Sequence, residues 1–543
     1  MKWNEKIFRK NDIRGIYKKD FDLAFVKDLA FSFTQLYFQE QKKENPLMPP
    51  LVIAVGHDCR LSSPEITQHL INSFTLTGAE ILFLGMVPAP VCLFTSYFLK
   101  DINASIMVTA SHNPRPFNGF KMVLNKESVC DKKILKLKKI MQTHPPLPVI
   151  PNQYKKRRKG KVIPFDIKPA YISFYTDPVR NLQTRPSTTS REEAHRNHKS
   201  LSPQKREALW KSGNQTKSVY QKTALFLQKP LPRSLPIKSL VIDCGNGASG
   251  PIAQKVFKAL KLPIKIHWLY TKPDGRFPHH HPDPSLEKNL KDLQKTIKEK
   301  KSDFGAALDG DGDRLVIVGK EGRILQGDEL MSIFISDILS SSAQIKTEAF
   351  KKTFSIVADV KCADWFFHFL NKKNIRSIMW KSGHSLIRQK TIKEKALFGG
   401  ELSGHFFFLD DFFPIDDGIY SLLRLIYICL SRKKSLNELR IKTNSIETKE
   451  IRFPIKTRSS AQKHIENLKR YYSQQEKHLG DLSSFIDGVR VSFPNQAWGL
   501  ARLSNTQNEW TLRFGGKNKI ALQQIQNDFY RLLHISPIRE EIG

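Results

Sequence analysis

The segment LDGDGDRL sets Asp309, Asp311 and Asp313 at every second position, with glycines between them. Three carboxylates this close repel one another unless a cation holds them. The glycines let the chain curl until the oxygens converge. As a calcium loop of the EF-hand type the segment fails, because Arg314 stands where the sixth position needs glycine and Lys320 where the twelfth needs glutamate. Three carboxylates with coordination positions left open suit Mg²⁺, which also takes a phosphate oxygen or water; an acidic turn of purely structural role is the alternative.

A second segment, MVTASHNPRPFNGFK, carries an apolar strand into a small-residue turn that presents Ser111, with His112 and Asn113 directly after it. Pro114, Pro116 and Gly119 keep the following backbone irregular. No G-x-S-x-G surrounds the serine, so an esterase elbow is unsupported. A serine hydrolase has no use for a metal loop, whereas a serine that carries a phosphoryl group has one. Phosphoserine brings roughly −1.5 to −2 charge, which a cation must partly neutralise before another phosphate approaches.

Three further segments offer binding groups. GGELSGH places Glu401, Ser403 and His405 at every second position, which in an extended loop puts them on one face, as vicinal hydroxyls would require. Any glycine-rich turn has the same look. ARLSNTQN offers Arg502, Ser504, Asn505 and Thr506 between two short strands, either a phosphate cradle or a decorated β-turn. No P-loop occurs in the chain. WKSGHS adds Lys381 and His384, the latter on a small-residue loop where an acid or base could act.

Elements that could hold these groups are legible. LVIAVGHDCRLSS, SLVIDCGNGASG and FSIVADVKCAD each run a β-branched strand into a polar loop and then a helical segment, so three α/β domains of related construction with mainly parallel sheets are expected. The last hundred or so residues read as an α+β module, with the short strands GVRVSF, WGLARLS and WTLRF ahead of the helix NKIALQQIQNDFYRLL. A Ser-, Thr- and Lys/Arg-rich stretch at 183–218 reads as a disordered or loosely helical insertion.

Composition sets the outer limits. Of 543 residues 40% are hydrophobic and 26% charged, enough for globular cores under a very polar surface. The net charge of +36 is spread along the chain, without a zinc finger or basic region, so nucleic acid is not expected as the main partner. Six dispersed cysteines form no C-x-x-C pair and read as buried free thiols, as in a reducing compartment. The start MKWNEKIF has no signal-peptide core, and the most apolar window, SLLRLIYICL, is broken by Arg424 and too short for a bilayer. A cytoplasmic protein without a membrane partner is expected.

Taken in chain order, IFRKNDIRGIY, VGHDCRLSSP, TASHNPRPFNGFK, PDGRFPHHHPDPSLEKNL, DGDGDRL, DVKCADW, WKSGHS, GGELSGHFFF and DGVRVSF…WGLARLSNTQNEWTLRF resemble the α-D-phosphohexomutases, particularly their phosphomannomutase/phosphoglucomutase branch. The resemblance covers nearly the whole chain. It implies four domains about a central cleft: a phosphoserine domain at 1–160, a metal-binding domain at 161–320 that holds the insertion, a sugar-binding domain at 321–445 and a phosphate-binding domain at 446–543. Carried onto matching positions, Ser111 is the phosphoserine and joins Asp309, Asp311 and Asp313 on Mg²⁺. Arg14, Lys361, Glu401, Ser403 and His405 meet the substrate, and Arg502, Ser504, Asn505 and Thr506 hold its non-transferring phosphate. His112, Lys121, Arg314 and His384 line the reaction centre, with Lys121 and His384 as proton-transfer candidates.

The implied activity interconverts hexose 6- and 1-phosphates of mannose or glucose through a bound 1,6-bisphosphate, which also serves as activator. A glucosamine phosphate mutase is the alternative, and an inactive nucleic-acid-binding protein on the same fold a third reading. A monomer or weak homodimer is expected. Asn11 departs from the aromatic residue often found there in the bacterial branch, and the 183–218 insertion is foreign to the compact core.

Overall fold

The computed structural model describes residues 3–44, 50–143, 160–176, 234–341, 354–494, 496–504 and 508–536. The 183–218 stretch, Asn505 and Thr506 lie outside the described residues. The chain forms two compact units, Met1–Leu325 with His405–Glu438, and Gln326–Gly404 with Leu439–Gly543.

Two sheets of like design build the first unit. One runs in the order Ile13–Ile16, Phe117–Leu124, Ala104–Val108, Val52–His57, Glu80–Met86, Val162–Pro164. Its last four strands are parallel and its first two pairings antiparallel. The other runs Ile324–Leu325, Leu315–Gly319, Phe304–Leu308, Ser239–Asp243, Lys265–Leu269, again parallel on one side and antiparallel on the other. Both central strands Ala104–Val108 and Phe304–Leu308 are buried throughout, which is why they read as mainly apolar runs, with Ser105 the one polar residue, rather than alternating ones. The strands expected within LVIAVGHDCRLSS and SLVIDCGNGASG form at Val52–His57 and Ser239–Asp243, and each leads into a helix, Ser63–Leu76 and Gly250–Leu260, with proline in the first turn.

Register then places the chemistry. Met107 pairs with Lys121, so the lysine stands beside the strand from which the Ser111 loop emerges. Leu308 and Leu315 are the last pair of their hairpin, which makes Asp309 to Arg314 the connecting loop. The apolar window broken by Arg424 is the helix Gly418–Arg432, and the arginine is wholly buried between Asp410 and Asp411, at 2.8 Å from each. No described helix is long and apolar enough to cross a membrane. All six cysteines are free, and five of them are buried.

In the second unit Arg376–Trp380, Ser355–Asp359 and Phe398–Gly400 pair in parallel. The C-terminal sheet is antiparallel, with Glu509–Gly516 paired to Ile446–Glu447, Ile451–Pro454 and Trp498–Leu503, and the last of these to Val489–Ser492. Helices Arg458–Ser473 and Lys519–Leu533 share its core, each capped by a side-chain oxygen, of Thr457 and of Asn518. Buried arginines join the two sheets. Arg490 donates to the Val360 carbonyl at 2.6 Å and to Asp364 at 2.5 Å, Arg513 to Asp328 at 2.8 Å and the Lys361 carbonyl at 2.6 Å. Their guanidinium carbons lie 4.5 and 5.6 Å from the Trp498 ring centroid.

Candidate active site

Ser111 is 1% exposed and has φ of +50°, a left-handed conformation that costs a non-glycine residue ~1–2 kcal/mol. Its surroundings enforce it. The Ser111 amide donates to Thr109 Oγ1 at 2.8 Å, and that hydroxyl lies 2.7 Å from Asp58 Oδ2. Arg60, almost wholly buried, spreads its two terminal nitrogens over four carbonyls, those of Ser111 (2.7 Å), Asn113 (2.6 Å), Pro114 (2.9 Å) and Phe117 (3.1 Å). Arg14, buried and paired with Asp12 at 2.7 Å, donates to the Ala110 carbonyl at 3.1 Å and to Asn113 Oδ1 at 2.8 Å. In this structure Arg14 therefore holds the loop's backbone.

The hydroxyl so presented meets the acidic loop. Ser111 Oγ donates to Asp309 Oδ2 at 2.7 Å and lies 3.1 Å from His112 Nδ1. Asp309 Oδ1 collects the amides of Gly312, Asp313 and Arg314 at 2.9, 3.1 and 3.3 Å, which curls the loop about one carboxylate. Gly312 has φ of +81°, and a Cβ there would strike Ser249. A Cβ at Gly310 would lie 2.7 Å from the Ser111 carbonyl, so glycine lets the two loops touch.

Asp309, Asp311 and Asp313 are buried and offer oxygens within 4.8 Å of one another. Lys121 Nζ lies 2.8 Å from Asp311 and also pairs with Asp313. Burial, then Asp313 and Asp311, push the Asp309 carboxyl well above the usual range. Burial works the same way on Asp311, but the Lys121 charge outweighs it and holds that carboxyl low. Burial opposes the Lys121 charge in turn, and Asp311 and Asp313 outweigh it, so the residue stays an ammonium. Asp311 Oδ1 and Asp313 Oδ1 remain buried acceptors without a hydrogen-bond partner among the described residues. A divalent cation fits this donor set, since it would answer both the crowding of like charges and the unpaired oxygens.

Arg314 donates from Nε to His405 Nε2 at 2.9 Å, and His405 Nδ1 lies 2.7 Å from Asp416. An arginine can only donate, so His405 takes that bond as an acceptor and carries its proton on Nδ1 toward Asp416. Here the structure departs from the expected shared face of Glu401, Ser403 and His405. Residues 402–404 turn, Gly404 has φ of +92° and its amide donates to the Glu401 carbonyl at 3.1 Å. Alternation by twos holds only for extended backbone. His405 belongs to the first compact unit and Glu401 and Ser403 to the second.

In the second unit Glu401 is buried and accepts the Gly383 amide at 2.6 Å, while Ser403 is half-buried. His384 opens the helix His384–Lys393 just after Gly383, whose φ is +137°. Asp359 ties these loops together. It accepts the Ser382 hydroxyl at 3.0 Å and the Leu402 amide at 3.2 Å, and lies 3.6 Å from Lys361 Nζ. Lys361 also pairs with Glu450 at 3.1 Å; burial disfavours its charge, but Glu450 and Asp359 outweigh that and raise its pKa. Arg502 Nε pairs with Asp487 at 2.9 Å, and the same carboxylate oxygen accepts the Ser382 amide at 3.0 Å. Ser504, two residues on, is buried.

Several of these supports were missed in sequence. Asp58, Arg60 and Asp359 sit where a strand gives way to a polar loop, a signal that was available. Glu450 and Asp487 had none, because only the fold brings them to Lys361 and Arg502.

Fold and site together define the class, a multidomain α/β enzyme built about a strained serine and a three-carboxylate loop. Residues 5–145, 224–322 and 326–444 match the alpha/beta/alpha domains I, II and III of phosphoglucomutase/phosphomannomutase. The chain belongs to that family, among the α-D-phosphohexomutases. It is 31% identical to a phosphomannomutase/phosphoglucomutase of Pseudomonas syringae pv. tomato, over 97% of this chain and 94% of that one. A phosphoglucomutase of Neisseria gonorrhoeae is 30% identical over 98% and 97% of the two chains. A crystal structure of a phosphoglucomutase/phosphomannomutase family protein from Burkholderia thailandensis superposes with a TM-score of 0.73 at 29% identity, covering 98% of this chain and 97% of that one.

Proposed function

We propose that this chain interconverts hexose 6-phosphates and hexose 1-phosphates, those of mannose and glucose, through phospho-Ser111 and a bound 1,6-bisphosphate. The observation that carries this reading is the buried Ser111 hydroxyl donating to Asp309 at 2.7 Å within a loop of three carboxylates. Asp309, Asp311 and Asp313, with a phosphoseryl oxygen, would hold Mg²⁺, and the bound ion would supply electrostatic stabilisation of the transferring group.

In the first transfer the bond from phosphorus to Ser111 Oγ breaks and a bond to the sugar hydroxyl forms. Lys121, held as an ammonium, gives its proton to Ser111 Oγ, and His384 takes the proton of the sugar hydroxyl. His112 and Arg314 bear charge on the transferring phosphoryl group, with Arg314 oriented by His405. Glu401, Ser403 and Lys361 hold the sugar, and Arg502, Ser504, Asn505 and Thr506 its other phosphate. The bisphosphate reorients by about half a turn, and Ser111 takes back the second phosphate. Added hexose 1,6-bisphosphate would activate chains that lack phosphate on Ser111. The four domains at 1–160, 161–320, 321–445 and 446–543 divide these tasks in a cytoplasmic monomer or weak homodimer.

Intact mass of the purified chain, then turnover of mannose 1-phosphate and glucose 1-phosphate with Mg²⁺ and catalytic bisphosphate, tests the proposal with Ser111→Ala alongside. A phosphate adduct on Ser111 and loss of activity in the variant are expected. No turnover of either sugar by folded wild type would overturn it, and glucosamine 6-phosphate would be the next substrate to try.

A further inference from the structure

Arg502 is 5% exposed in its side chain, and its ion pair among the described residues, with Asp487, uses Nε. Its Nη2 is buried and has no hydrogen-bond partner among the described residues. An unmet guanidinium donor in a buried position costs free energy, and it marks where an acceptor belongs. Arg458, the first residue of the helix Arg458–Ser473, donates from Nη2 to the carbonyl of Ser504 at 3.0 Å. Ser504 follows Arg502 by two residues at the end of the strand Trp498–Leu503, so both guanidinium groups are brought to the same strand end. No ion pair between Arg458 and a carboxylate is present among the described residues. Partial burial and the like charge of Arg502 both pull its pKa down.

A fold that draws two arginines together and gives them one carboxylate between them stores repulsion that an anion would relieve. The helix that begins at Arg458 spans 16 residues, and its N-terminal amides add positive potential at the same end. We propose that Arg458 is the second guanidinium of an anion subsite shared with Arg502 and Ser504, and that its ligand is the dianionic, non-transferring phosphate of the substrate. The inference rests on the mutase reading and adds to it a residue that no resemblance assigned. With Asp487 offsetting Arg502, Arg458 supplies the positive charge that a dianion still lacks. Two planar forks also fix a tetrahedral phosphate in orientation, which a single point charge would not do. Arg458 is thus a determinant of affinity for phosphorylated against neutral sugars.

The test is calorimetric titration of glucose 1-phosphate, with Mg²⁺, into the full chain carrying Ser111→Ala, so that binding is read without turnover. Arg458→Gln should weaken the Kd about tenfold and Arg458→Lys only about threefold, as a lost or retained charge-assisted contact would. The melting temperature should stay nearly unchanged, because Arg458 is largely exposed and water can take over its bond to the Ser504 carbonyl. A Kd for Arg458→Gln within about twofold of its parent, while Arg502→Gln weakens binding tenfold or more, would overturn the role of Arg458 alone. Binding indifferent to both substitutions would overturn the phosphate cradle itself. Equal losses in Arg458→Gln and Arg458→Lys, with a lowered melting temperature, would make the residue a structural clamp and refute the proposal.

Discussion

Arg60 touches no expected ligand, yet it should control the rate. Its guanidinium meets four backbone carbonyls of the segment from Ser111 to Phe117. Lysine keeps the charge but replaces two separate terminal nitrogens, each bonded to two carbonyls, with a single one, so the two carbonyls served by one of those nitrogens lose their donor. A buried carbonyl without a partner costs ~1–3 kcal/mol, and two or more cost about 2–6 kcal/mol. The loop can recover much of that by shifting to let water in. Ser111, with φ of +50°, would then relax out of its strained conformation and away from Asp309. A displacement near 1 Å at a reacting atom costs about a hundredfold in rate. Arg60→Lys should therefore lower kcat about a hundredfold and leave KM within about threefold, since no substrate contact is lost. Initial rates with glucose 1-phosphate, beside urea unfolding to confirm the fold, measure both. A kcat within threefold of wild type, or a raised KM at unchanged kcat, would refute this account of Arg60.

Mg²⁺ should raise the melting temperature of the full chain, by about 2.7 kcal/mol of stability at a hundred times its Kd, and Asp311→Asn should abolish the rise. A variant that keeps the full Mg²⁺ shift would remove the metal from this loop. His280 lies 2.9 Å from Asp243 Oδ2; burial disfavours the imidazolium, but Asp243 outweighs it and raises the pKa above 6.5. The pair's contribution is fully present below pH 6.5 and is lost as pH rises through the folded-state value. Wild type should thus lose roughly 1 kcal/mol more than His280→Asn as pH rises from about 6 to 8, with allowance for the solvent that reaches the ring. Parallel urea curves for the two proteins across that range would show the coupling to be absent.

Much of this architecture is local in origin and was legible in the chain. The strands at 52–57, 239–243 and 355–359 announce themselves by short β-branched runs, and the helices after them by their periodicity. Asp309, Asp311 and Asp313 converge because two glycines lie between them, a matter of neighbouring residues alone. Where alternation was extended to Glu401, Ser403 and His405, the positive φ of Gly404 broke it. That sign depends on what the turn packs against, which spacing does not reveal.

The kind of strands and the loops that end them follow from contacts within a few residues, and the residue types able to carry phosphate and metal are read directly from the chain. Which groups support them is set by long-range packing. Lys121 reaches Asp311, 190 positions further along the chain, Arg60 reaches the Ser111 loop, and Asp359 joins the loops at Ser382 and Leu402. Such pairings are selected by burial, where a buried charge or carbonyl must find its partner wherever the fold brings one, however far away along the chain.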